Sequence, residues 1–224
     1  IDKKNYHYIG SFDGFNEKNY KDFLYLETNI TASKINILNS VLYHDEDIDL
    51  NWNSEKLTLG IIQNKSNARA YFVGGNLSNI EINFKGAASD ENNYTQFLPF
   101  DKRGLTGCLS FINVDILKVS VKSSSTNCED ALNFINTNGQ IDKIEISDAT
   151  SDALDIDFSN LSIDQILIKN AGNDCLDVSS GKYNIHTLKV NNCGDKGFSI
   201  GEKSFVRNEY LNVNNSEIGL ASKD

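Results

Sequence analysis

Methionine is absent from this 224-residue chain, and proline and tryptophan occur once each. Asparagine, serine, aspartate, isoleucine and lysine dominate instead, a mixture that favours strands joined by polar turns over long helices. Positive charge is scarce: 21 Lys and Arg stand against 31 Asp and Glu, a formal net charge of −10. Binding to nucleic acid or to an anionic membrane needs a basic face that releases counterions, so both partners are excluded, and a polyanionic ligand would require bridging cations. No run approaches the roughly 18 apolar residues of a membrane span. The start at Ile1 carries no charged-then-apolar export signal, which leads us to expect a processed chain.

The four cysteines lack the close spacing of a zinc site. Cys108 with Cys128 and Cys175 with Cys193, 20 and 18 residues apart, read as two disulfides. These point to a secreted, periplasmic or cell-surface location. There is no G-x-S-x-G elbow, no kinase-type glycine loop and no D-F-G pattern. His7, His44 and His186 stand singly and read as surface or packing residues. A hydrophobic content of 39% is enough for a packed core.

The C-terminal half aligns with itself at a period of 22 residues. Leu132, Leu154, Leu176, Phe198 and Leu220 form one apolar column, and Phe134, Ile156, Val178 and Ile200 form another two positions on. Side chains alternate across a strand, so both columns point inward while Asn133, Asp155, Asp177 and Ser199 form an outward polar column. A second strand recurs as Ile144 with Ile146, Ile166 with Ile168, and Leu188 with Val190. This pattern predicts an all-β fold, a right-handed parallel β-helix of ~22-residue coils whose stacking buries a core that no single coil could bury. Similar segments at Gly107–Asn113 and Asn76–Ile82 carry the repeat upstream, to a start before residue 60 and about nine coils.

The organisation expected is one domain over 1–224. An aromatic-rich stretch, 1–28, serves as N-terminal cap, 87–103 is a long loop, and 104–224 holds the regular coils. The C-terminal end is expected to continue or to be covered by another subunit or domain.

Chemistry concentrates in the column Asp130, Asp152, Asp174 and Lys196, flanked by Asn173 and Asp195 and by the outward pair Asp155 and Asp177. Carboxylates on neighbouring rungs, about 5 Å apart, repel by about 3 kcal/mol at an effective dielectric of 20, so they must bind a cation, share protons or lean on Lys196. A carboxyl pair with divergent pKa values suits acid–base cleavage of a glycosidic bond, and Ca²⁺ on the same aspartates would suit elimination from a uronic-acid polymer. The competing reading is structural, because Asp and Asn recur at turn-to-strand junctions for local hydrogen bonding. The acidic run Asp45, Glu46, Asp47 and Asp49 is a weaker Ca²⁺ candidate, and Trp52 and Tyr43 are candidate sugar-stacking aromatics.

The run Asn173-Asp174-Cys175-Leu176-Asp177, followed by Asp195-Lys196-Gly197, resembles the catalytic strands of polygalacturonase-type glycoside hydrolases. Ser151-Asp152 and Ala221-Ser222-Lys223 take the flanking places. The resemblance implies a disulfide between Cys175 and Cys193 and keeps Asp152, Asp174 and Lys223, while Asn173, Lys196 and Ala221 replace that family's aspartate, histidine and arginine. Residues 100–224 are also similar to bacterial β-helix modules that accompany spore-coat-kinase-like (CotH-type) domains in large surface proteins. Gly194–Ser204 and Ile218–Asp224 carry that likeness.

Two functions follow as expectations. One is a carbohydrate-associated β-helix that binds or cleaves a polysaccharide, as a hydrolase or lyase. Asp152, Asp174 and Lys196 would be its catalytic residues, and Asp155, Asp177, Asp195, Glu202 and Lys223 its substrate contacts. The other is a non-catalytic structural or adhesive module of a larger surface protein.

Overall fold

A computed structural model describes residues 32–87, 100, 101 and 103–223. The aromatic stretch 1–28 and most of the loop 87–103 lie outside the described residues. Sixteen strands and no helix occur among them. In chain order they are β1 (Ser33–Ile37), β2 (Ser40–His44), β3 (Ile48–Asn53), β4 (Thr58–Gln63), β5 (Ala70–Val73), β6 (Asn76–Ser78), β7 (Glu81–Lys85) and β8 (Gly107–Ile112). There follow β9 (Asp115–Thr126), β10 (Asp130–Ile135), β11 (Asn138–Ala149), β12 (Asp152–Asp157), β13 (Asn160–Ala171), β14 (Leu176–Ser179), β15 (Lys182–Ile200) and β16 (Phe205–Ser222).

The chain is a β-solenoid. One parallel stack runs β5, β8, β10, β12 and β14 into the end of β15, and another runs β4, β7, β9, β11, β13, β15 and β16. The register places Leu109, Leu132, Leu154, Leu176, Phe198 and Leu220 above one another, as the period of 22 predicts. The column Phe72, Phe111 and Phe134 stacks ring on ring, with centroids 5.2 and 4.4 Å apart. Each fully buried aliphatic or Phe side chain in these columns contributes about 1.5–3 kcal/mol. Cys108 and Cys175 occupy the same inward column as Ala131 and Ala153, and the Cys108–Cys128 and Cys175–Cys193 disulfides are both formed.

Two corners per coil are made by residues in the left-handed backbone region. Asn113, Asn136, Phe158, Ser180 and Lys203 make one column of corners, and Ser125, Asp148, Asn170, Asn192 and Asn215 make the other. Asparagine pays little for this conformation, and its amide links successive coils. Asn170 donates to Asp148 at 2.7 Å, Asn192 to Asn170 at 3.0 Å and Asn215 to Asn192 at 2.7 Å. Gly139, at φ 121°, is demanded by space as well, because a Cβ there would sit 1.9 Å from the Ile116 carbonyl oxygen.

Parallel stacking begins at Thr58, where β4 pairs with β7, so the solenoid starts before residue 60 as expected, and the described residues hold about seven turns where about nine were expected. The difference lies at residues 33–53. There β1 and β2 form an antiparallel hairpin, and β2 and β3 run antiparallel to β5 and β4. These reversed strands give the first coil its hydrogen-bond partners on the N-terminal side. The interruption after β7 is visible in the register. Glu81 pairs with Ser120, a separation of 39 where other coils repeat after 22 or 23 residues.

Candidate functional site

The strands β8, β10, β12 and β14 carry a polar column on the side facing away from the core. Tyr43, Tyr71, Ser110, Asn133, Asp155, Asp177, Ser199 and Ala221 lie on successive rungs. At its N-terminal end the column is aromatic, with Tyr43 and Tyr71 stacked at 5.3 Å between centroids. The neighbouring outward column, Val73, Ile112, Ile135 and Asp157, changes from apolar to acidic along the same direction. The column is outward from the core, yet it is not a solvated stripe. Ser110, Asn133 and Ser199 are buried, and Asp155, Asp157 and Asp177 are half-buried.

The end of the interrupting segment is anchored beside this face. Arg103 is buried and donates to both carboxylate oxygens of Asp45 at 2.7 Å and to Asp101 at 2.6 Å, with its guanidinium 5.3 Å from the Tyr71 ring centroid. Leu105 packs with Tyr71 and Ile112 in a small apolar cluster outside the main core. Arg69, also buried, gives its Nη1 to the carbonyls of Ser66 and Ala68.

The acidic residues divide into two groups. Asp152 opens β12 and Asp174 lies two residues before β14, and each carboxylate accepts the backbone N–H one coil onward. Asp174 N donates to Asp152 at 2.8 Å, and Lys196 N donates to Asp174 at 2.9 Å. Asn173 adds a side-chain bond to Asp152 at 2.7 Å. Lys196 Nζ lies 3.2 Å from Asp174 and also bonds Asp195, and these bonds hold its amine above the ordinary lysine range. The column therefore has the local hydrogen-bonding geometry of its structural reading.

The second group is Asp130, Asp155, Asp157 and Asp177. Asn133 Nδ2 donates to Asp155 at 2.9 Å, and the Asp155 and Asp157 carboxyls hydrogen-bond each other. Burial first, then the neighbouring carboxylates, holds Asp130 and Asp155 well above the usual carboxylate range. Burial pushes Asp157 up to about 6, with Asp177 adding to the rise and the bond from Asp155 opposing it. Asp152, Asp177 and Glu129 are raised as well, burial again being the first cause. Asp130 is 3% exposed, and its Oδ2 has no hydrogen-bond partner. A carboxyl whose proton is held by burial can donate to a neighbour that accepts.

The remaining sequence candidates sit at the margin. The Lys223 charge acts on Asp177 from two coils onward, although its side chain is exposed. Glu202 is exposed at a corner, where its backbone carbonyl accepts from Ser180. Asp45, Asp47 and Asp49 are engaged by Arg103, Lys65 and Asn64, and among the described residues no group of three or more His, Cys, Asp or Glu is arranged to hold a metal ion. His186 meets Glu209 at 2.9 Å on the surface, and Trp52 packs against the core. Asp157, Tyr71 and Arg103 escaped the sequence reading. Asp157 had a signal, since it lies two residues from Asp155 and so on the same side of β12.

The chain matches no family model, no curated protein and no solved structure. The likenesses drawn above therefore rest on the quoted residues alone.

Proposed function

We propose that this chain is an extracytoplasmic glycan-binding β-solenoid, whose acidic outer face on β10, β12 and β14 seats a sugar chain. The observation that carries the reading is the half-buried Asp155–Asp157 pair with Asp177 one rung on, on a face flanked by the anchored Arg103 segment. Paired carboxyls that donate and accept suit the dense hydroxyl groups of a sugar, and neighbouring rungs, about 4.8 Å apart, offer repeated contacts to a repeating ligand. The two disulfides fit an oxidising compartment. Asp152, Asp174 and Lys196 act as positioning residues in this reading, because their charged groups already serve the backbone of the next coil and each other. Asp195 holds Lys196, while Glu202 and Lys223 extend the polar surface toward the C-terminal coils.

The test is calorimetric titration of an oligosaccharide panel into the wild-type chain and into Asp155→Asn, Asp157→Asn and Asp177→Asn, alongside an assay for new reducing ends. Binding weakened tenfold or more by these variants, with unchanged circular dichroism, supports the reading. Turnover abolished by Asp157→Asn would extend it to catalysis. No binding to any glycan would overturn it. The structural-module reading has its own observation, the use of Asp152 and Asp174 on backbone N–H groups, and it predicts that absence of binding.

A further inference from the structure

We propose that the Cys175–Cys193 disulfide is a redox latch, whose reduction by a dithiol releases the coil β16 while the Cys108–Cys128 disulfide stays closed. The inference goes beyond the glycan reading and does not depend on it.

The starting point is where the bridges sit in the stack. Cys175 and Cys193 take the places that Ala153 with Ala171 and Ala131 with Ala149 hold in the two coils before, each pair 18 residues apart. Every coil repeats this site, and alanine fills it where no bridge forms. Packing alone holds those inner coils, which have a neighbour on each side. The neighbour beyond the Cys175–Cys193 coil is β16, which among the described residues pairs with β15 alone.

What covers that bridge is thin. Cys193 stacks between Ala171 and Ser216, and the register of Leu176 with Phe198 puts Gly197 over Cys175. A Cβ on Gly197 would lie 2.3 Å from Val213 Cγ1, so the Val213 side chain of β16 closes the space above. Cys175 is 0% and Cys193 4% exposed, so a reductant reaches the sulfurs only when β16 lifts and Val213 goes with it. A coil with one neighbour opens at lower free energy than the whole fold, which puts this access short of global unfolding. The other bridge is enclosed differently. Strand β8, which carries Cys108, is paired with β5 and β10, and the buried Gln63 amide lies 3.7 and 3.8 Å from the two sulfurs. Reaching it requires opening strands that are paired on both sides.

The coupling also runs from the bridge to the coil. A disulfide restrains the chain once it has opened, so reduction favours lifting of β16 together with the end of β15 beneath it. In the exchange, a thiolate of the dithiol attacks Cys193 Sγ, the more exposed sulfur, and Cys175 leaves as a thiolate that takes up a proton. The second thiol of the reductant then displaces Cys193, so two electrons pass to the bridge and the reductant becomes a cyclic disulfide. The loosened coil carries Asp174, Asp177 and Lys196, so the state of the bridge reaches the polar outer face.

The experiment treats the full chain with dithiothreitol at about pH 8, where a thiol with the ordinary pKa of about 8.5 is partly ionised. Samples are alkylated at intervals, each cysteine is followed by peptide mass mapping, and hydrogen exchange is measured on the same samples. The expected result is labelling of Cys175 and Cys193 tenfold or more faster than Cys108 and Cys128, with exchange in β16 quickened tenfold or more and exchange in β11 unchanged. Oxidised dithiothreitol should restore the slow exchange. Cys175→Ser with Cys193→Ser should show the fast β16 exchange from the outset and no further response to dithiol, and the wild-type time course carries the test if that variant does not fold.

Equal labelling rates for the two bridges, or faster labelling of Cys108 and Cys128, overturns the selectivity. Selective labelling with unchanged β16 exchange overturns the latch, and exchange that oxidation does not restore overturns the switch. Labelling of neither pair without denaturant overturns the proposal as a whole.

Discussion

At the scale of single residues, the outward carboxyls are the feature with measurable consequences. Asp130, Asp152, Asp155, Asp157 and Asp177 all have folded-state pKa values above their ordinary range, burial being the main cause. The folded chain therefore holds these protons more tightly than the unfolded chain. The stability they confer is fully present below the ordinary aspartate value of 3.8 and is lost as pH rises through the folded values, about 6 for Asp157. Facing these groups are Glu129 and Asp174, with Lys196 and Lys223 as the opposing cations. Glu145, lowered by Lys143 and Lys122, acts in the other direction, but its exposure keeps that effect small. We expect the midpoint of thermal unfolding, followed by circular dichroism, to rise as pH is lowered from about 7 to about 4.5. A steady fall over that range would contradict the assignment. Asp157→Asn, which imitates the protonated form, should raise the midpoint at about pH 7 and flatten the pH profile.

At the scale of strands and corners, the fold depends on backbone conformations that few side chains accept. Asn192 sits in a left-handed corner, donates to Asn170 and accepts from Asn215. Asn192→Val loses both bonds and puts a β-branched residue in that conformation, with an expected cost of about 1–3 kcal/mol by urea unfolding. Asn191→Val, one position earlier in the strand, should cost less than half as much. The disulfides act at the same scale. Each closes a segment slightly shorter than one coil, and removing Cys175–Cys193 by paired alanine substitution should cost about 3 kcal/mol. An unchanged urea midpoint would show that stacking alone fixes that coil.

For the molecule as a whole, the two ends of the described solenoid differ. The N-terminal end is bordered by the antiparallel strands β2 and β3. At the other end β16 pairs with β15 alone and leaves Phe205, Tyr210, Leu211, Ile218 and Leu220 exposed, five of the ten large exposed apolar residues described. In a stacked repeat each coil is stabilised by its neighbours, so coils with one neighbour open first. Hydrogen exchange should accordingly be fastest in β16 and slowest in β11 and β13, which are paired on both sides. The 224-residue chain should also associate through β16, and sedimentation of Leu211→Lys with Leu220→Lys should show less association than the wild type.

The stacking columns were legible in the amino-acid sequence because a solenoid repeats its environment once per coil, and a repeated environment selects a repeated residue. Leu154, Leu176 and Phe198 thus announce their shared column, and Asp155 and Asp177 announce theirs. The cysteine spacing was legible for the same reason, since each pair falls within about one coil. Residues 33–53 have no partner at that period, so only the fold could show that they reverse direction against the first coil. Whether an outward aspartate is solvated or half-buried likewise depends on segments remote in sequence: Arg103 meets Asp45 across 58 positions, and Thr106 reaches Asp130. Period determines which side chains lie above one another, whereas burial and charge depend on everything that packs beside them, and that is decided only when the whole chain has folded.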